Sequence, residues 1–116
     1  MSTRCAIGYL FGEDEFVTTY CHYDGYPSHV GKILQEHHRS MNAAELIVQG
    51  KHIRNFDHDG TIARFPDGEF ETNSSVAEIL DSGYDYVYLF SEYEGSWHCY
   101  GRNSNPPFEV EEKEIK

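Results

Sequence analysis

The run "EFVTTYCHYDGYPSHVGKILQEHH", residues 15–38, sets the architecture. Up to Tyr23 it is rich in β-branched and aromatic residues, the types that fit a pleated, half-buried surface, and it reads as a strand. Asp24-Gly25 favours a turn, and Pro27 suits the first turn of a helix, where no backbone N–H is needed. Val30, Ile33, Leu34 and His37 then recur at i, i+3, i+4 and i+7, which is one helical face. The stretch therefore predicts a strand, a tight corner and a helix. Alternation assigns Phe16, Thr18, Tyr20 and His22 to one strand face, and Val17, Thr19, Cys21 and Tyr23 to the other. Gly31 costs the helix roughly 1 kcal/mol relative to Ala, a cost that close packing against a strand would explain.

Working outward, "CAIGYLF" (5–11) reads as a strand, and "GEDE" (12–15) as the turn that joins it to the next one in an antiparallel hairpin. Downstream, Asn42 is a good N-cap for a second helix. Glu45 completes a capping box, Met41 and Leu46 stand at staple spacing, and Gly50 is a stop. Residues 51–72 read as irregular chain with at most one short hairpin, because "DHDG" and "FPDGEF" are turn chemistry. Ser75 and Glu78 form a capping box for a third small helix that Gly83 ends. "YDYVYLFSEY" (84–93) is a clear strand, with Tyr84, Tyr86, Tyr88 and Phe90 on one face and Val87 and Leu89 on the other. "EGS" turns the chain and "WHCYGR" (97–102) returns as its partner. Pro106 and Pro107 block regular structure, and the acidic end reads as a loose arm or an edge strand. The expected fold is a single compact α+β domain over residues 1–105. It has an antiparallel sheet of four to five strands and two to three short helices packed on one face. Residues 106–116 form an acidic C-terminal arm.

Composition narrows the function classes. With 116 residues the chain can bury a core without metal or disulfide staples. Aromatics reach 15%, which argues against disorder. The formal net charge of −11 repels phosphate backbones, so direct nucleic-acid binding is not expected. The same charge keeps a small protein soluble and steers it toward basic surfaces. Cys5, Cys21 and Cys99 lie in apolar runs with no C-x-x-C pair, and read as small buried hydrophobes in a reducing cytosol. "MSTRCAIGYLFG" has no long apolar core and no small-residue cleavage site, so no signal peptide is expected. No apolar run is long enough to cross a membrane.

Several chemistries were weighed against these residues. His22 with Asp24, His37 with His38, and Asp57-His58-Asp59 fail the spacing that zinc or calcium sites require, so no metal and no cofactor is expected. Cys21 and His22 point to opposite strand faces, and Ser28 and His29 are adjacent on a helix, so neither pair makes a nucleophile and base. "GYPSHVGK" lacks P-loop spacing. The helix start near Ser28 either binds a small anion or takes Asp24 or Ser28 as its own cap. The aromatic stripe with Trp97 is either core or, where exposed, a stacking platform. Arg102 and Asn103 lie just past its last strand, and Arg4 is a cation near a sheet end. The candidate ligand- or partner-binding residues are thus Arg4, His22, Asp24, Tyr26, Tyr88, Phe90, Trp97 and Arg102. At the corner itself, Asp24 bonding nearby N–H groups and His22 anchoring the turn is the simplest reading.

"STRCAIG" followed by "YCHYDGYPSHVGKIL", with "YVYLF" and "SWHCY" later, resembles an uncharacterised family of small proteins from tailed bacteriophages and prophages. Its pattern is a Ser-Thr-Arg-like start, a Tyr-Cys-His-aromatic-Asp-Gly-Tyr-Pro block, a Val-Gly and a Leu-rich helix. The likeness covers most of the first 50 residues and roughly 84–100, while 51–72 departs from it. The resemblance implies a phage origin and expression in the host bacterial cytoplasm, but no reaction. That setting suggests a non-enzymatic accessory protein that blocks a host factor in counter-defence. It would lay an acidic surface on a basic host protein or sequester a small nucleotide signal. Self-association is expected from a thin core with exposed aromatics. The rival reading is a small metal-dependent hydrolase or nuclease built on His22 and Asp24. A virion protein is a third class.

Overall fold

In a computed structural model, which describes residues 3–11, 15–91, 95–101 and 108–110, the quoted strand is half of a central hairpin. Strands β1 (Cys5–Phe11) and β2 (Glu15–Cys21) pair antiparallel from Cys5↔Cys21 to Phe11↔Glu15. Gly8 sits against β2 so closely that a Cβ there would lie 1.7 Å from the Val17 carbonyl oxygen. After the corner, a π-helical turn (Pro27–Gly31) runs directly into α1 (Lys32–His37). Val30, Ile33 and Leu34 are buried as the periodicity predicts, whereas His37 is exposed at the helix end.

Helix α2 (Met41–Gln49) is capped by Ser40, whose hydroxyl accepts from the Ala43 N–H at 3.0 Å. Asn42 therefore lies inside the helix instead of capping it. Leu46 is 59% exposed, so it makes no staple with Met41. Ser40 holds the extended backbone that an N-cap needs, with φ −153°. Ser40→Ala is expected to cost about 1 kcal/mol, and Asn42→Ala less than about 0.5 kcal/mol, read from urea midpoints. A larger loss at Asn42 would reverse the assignment.

The chain then forms β3 (Ile53–Phe56), β4 (Ile62–Arg64) and β5 (Glu71–Asn73). Helix α3 (Val76–Asp81) follows, with the Ser75 hydroxyl accepting from the Glu78 N–H at 3.1 Å, the cap read from the sequence. Strands β6 (Tyr86–Ser91) and β7 (Ser96–Gly101) make the expected hairpin, and β8 (Phe108–Val110) pairs with β7 as an edge strand. Residues 102–107 and 111–116, and the "GED" of the first turn, lie outside the described residues.

The sheet order is β4-β3-β2-β1-β6-β7-β8, with β5 also on β2. The class is α+β, but three expectations are corrected. The sheet is mixed, because β1 pairs parallel with β6 and β2 parallel with β3. It holds more than four to five strands, because the region read as irregular supplies three short ones. The helices occupy both faces. Cys5 and Ile7 share one core with Val30, Leu34 and Ile47, whereas Ala6, Val87 and Leu89 share another with Ile79 and Leu80. Neighbouring strand residues point to opposite faces, so α1 and α2 cover one side and α3 the other. Parallel pairing needs crossover connections, and these are what place helices against the sheet.

The tyrosine stripe also begins later than expected. Tyr84 precedes β6 and packs on the α3 side, while Tyr86, Tyr88 and Phe90 face α1 and α2. Gly83 at φ +106° turns the chain there, and Asp85 ties it back to Arg4 through backbone N–H to carbonyl at 2.9 Å. Among the described residues no helix is long and apolar enough to cross a membrane.

Candidate functional site

The corner after β2 is braced from three sides. His22 and Tyr23 donate their backbone N–H groups to the Ile53 and Arg54 carbonyls, each at 3.0 Å, which fastens the strand end to β3. Gly25 N–H donates to the Thr3 carbonyl at 2.9 Å. From beneath, the buried Tyr88 hydroxyl donates to the Gly25 carbonyl at 2.7 Å. A side chain at 25 would meet Cys5 Cβ and Sγ at 2.9 Å, so glycine lets the turn lie flat on the core. Asp24 takes the left-handed conformation, φ 55°, which Asp tolerates better than most residues. The side chain of Ser28 lies outside the described residues, and Asp24 is exposed.

This fixed backbone presents Tyr23 and Tyr26 to solvent at 40% and 39% exposure. Beside Tyr23 runs a cluster of rings. The Tyr20 hydroxyl bonds His22 Nδ1, and its ring meets those of His52 and Tyr84 at centroid distances of 5.3 and 5.9 Å. His22 in turn sits edge-on to Tyr23 at 4.4 Å and to Phe65 at 5.9 Å. The Arg4 guanidinium lies close enough to the Tyr20 hydroxyl to favour its ionised form. Burial pushes the Tyr20 hydroxyl above its ordinary range, against the pull of Arg4. Burial first, then Glu71, pushes Tyr84 up to about 12. Both stay neutral donors at physiological pH.

Of the residues singled out in the sequence, Arg4 and His22 meet through Tyr20, and Asp24 and Tyr26 sit on the turn beside them. Tyr88, Phe90 and Trp97 are buried at 0, 3 and 6% exposure, so this part of the stripe is core. Phe90 and Trp97 pack edge-on at 5.4 Å, and Trp97 Nε1 donates to the His38 carbonyl at 2.8 Å. Arg102 lies outside the described residues. Sequence reasoning missed Tyr20, His52 and Phe65, and took Tyr84 only as part of the aromatic stripe. Tyr20 was readable, since it lies two residues before His22 on the same strand face.

A second set of histidines clasps the β3–β4 loop. His29, His37 and His38 each donate from Nε2 to a carbonyl, of Phe56, His58 and Gly60, at 2.9, 3.1 and 3.0 Å. A carbonyl accepts only, so every one of these rings carries its proton on Nε2. His37 and His38 thus hold different carbonyls, in keeping with their divergent directions on the helix. Among the described residues no three His, Cys, Asp or Glu side chains converge to hold a metal ion. An open groove of about 310 Å³ lies elsewhere, on the α3 side, lined by Leu10, Phe16, Leu89, His98 and Tyr100 among others.

Burial lowers the His38 pKa below its ordinary 6.5, and His37 lowers it further, against the Gly60 carbonyl, which raises it. The folded protein therefore binds this proton less readily than the unfolded chain. Stability from this residue is full above pH 6.5 and is lost as pH falls through the window below it. The thermal midpoint should fall between pH 7 and about 5, and His38→Gln, which keeps a donor but cannot titrate, should flatten that slope. An unchanged slope would remove His38 from the account.

Comparison of the chain with protein-family models, curated proteins and solved structures finds no match.

Proposed function

We propose that this is a non-enzymatic accessory protein of bacteriophage origin that binds and blocks a host factor in the bacterial cytoplasm, in the setting of counter-defence. The observation that carries the reading is the corner. Tyr23 and Tyr26 stand exposed on a backbone held by β3, Thr3 and Tyr88. Rigid aromatic anchors lose little entropy on docking and dominate binding energy at interfaces. The net charge of −11 directs such a surface to a basic face of a host protein.

A second ligand reading has its own support. Arg4 beside Tyr20, with the rings of Tyr23 and Phe65 nearby, offers a cation and stacking faces to a small nucleotide signal. Self-association would then complete the enclosure.

A pull-down from infected cells, read with native mass spectrometry, separates the two. Recovery of one stoichiometric host protein supports the first, and a bound nucleotide supports the second. For the first, Tyr23→Ala and Tyr26→Ala should each weaken binding about tenfold at unchanged thermal midpoint, and added salt should weaken it steeply. Turnover of a substrate, lost in folded His22→Ala or Asp24→Ala variants, would overturn both in favour of a hydrolase or nuclease. His22 Nδ1 is already engaged by the Tyr20 hydroxyl, which is why binding is preferred here.

A further inference from the structure

Cys5 is the first residue of β1 and Cys21 the last of β2, and the register sets them directly opposite each other. Both are fully buried. Opposed residues on antiparallel strands have Cα atoms about 4.5 or 5.5 Å apart, and a disulfide spans about 4.4–6.8 Å. Either spacing admits the bond without moving the backbone. Cys99 is on β7, with β6 between it and β1, so the sheet order singles out the first pair. The corner covers these sulfurs. Gly25 lies flat against Cys5, and the Cys21 thiol donates to the Tyr23 carbonyl at 3.7 Å.

We propose that Cys5 and Cys21 are a thiol–disulfide couple, closed by a small-molecule disulfide when the Gly25 turn lifts. One cysteine thiolate attacks the external disulfide, forming a mixed disulfide and expelling one small thiolate. The second cysteine thiolate attacks the protein-side sulfur, forms the Cys5–Cys21 bond and expels the other. The protein loses two protons and two electrons, and the external disulfide is reduced to two thiols. In the closed fold, burial and the neighbouring Cys21 push the Cys5 thiol well above its usual range, so Cys5 is protected until the corner opens. Once formed, the bond ties together the two strand ends that carry Arg4 and His22.

The test is incubation of the full chain with excess oxidised glutathione until the free-thiol titre is constant, followed by alkylation, intact mass and peptide mapping. The expected result is a loss of about 2 Da, from two hydrogens, with Cys5 joined to Cys21, Cys99 alkylated, and full reversal by dithiothreitol. Cys99→Ala should behave identically, and Cys5→Ala should show no such loss. Should Cys5→Ala fail to fold, the wild-type map and the Cys99→Ala variant still decide the matter. Persistent thiols at Cys5 and Cys21, a bond to Cys99, or a stable glutathione adduct would each overturn the proposal.

Discussion

Gly8→Ala is expected to remove a large share of the fold's stability. Its new Cβ falls 1.7 Å from the Val17 carbonyl oxygen and 2.7 Å from Thr18 Cα, and both are backbone, so no side chain can swing aside. Relief requires β1 and β2 to part at the middle of the sheet, which breaks the ladder that β3 and β6 flank. A penalty above about 4 kcal/mol is expected, against a total stability for such domains of about 5–15 kcal/mol. Gly83→Ala is the control. It meets nothing within 4 Å, so only its positive φ of +106° is strained, at about 1–3 kcal/mol. Far-UV circular dichroism and urea titration of both variants read the difference. A folded Gly8→Ala protein within 1 kcal/mol or so of wild type would disprove the β1–β2 register.

Trp97→Ala should cost about 3–5 kcal/mol, the range for deleting a buried ring. The indole lies against Phe90, and its N–H donates to the carbonyl of His38, the residue that ends α1. Trp97→Phe keeps a ring but leaves that carbonyl without its donor, so a loss of about 1–3 kcal/mol is expected. The gap between the variants separates cavity from hydrogen bond. Were Trp97 a partner's anchor, both would leave the urea midpoint unmoved and weaken binding instead.

The strand, corner and helix of residues 15–38 were legible because the hydrophobic period changes abruptly at Asp24-Gly25 and Pro27. The Ser75 cap was legible because capping is a local hydrogen bond. Partnering was not. Alternation tells which face a residue occupies and says nothing about the neighbouring strand, so the parallel β1–β6 pair left no mark. β4 and β5 are too short to alternate visibly. One signal was present and unused. Cys5, Ala6, Ile7 and Gly8 are buried in succession, and such an unbroken small apolar run marks a strand covered on both faces. The candidate site was half legible. His22 and Asp24 stood out as polar residues at a turn, but Arg4 comes near them only because the hairpin sets its neighbour Cys5 opposite Cys21.

The pairing of Ala6 with Val87 joins residues from nearly opposite ends of the described chain. During synthesis, the β1–β2 hairpin leaves the ribosome with the β1 flank bare, and β6 cannot cover it until all the elements between them have emerged. Completing the sheet therefore waits on a long-range pairing, which slows folding by the measure of contact order. A cell making this protein holds a sticky nascent edge for as long as translation lasts, and chaperone demand should scale with elongation time.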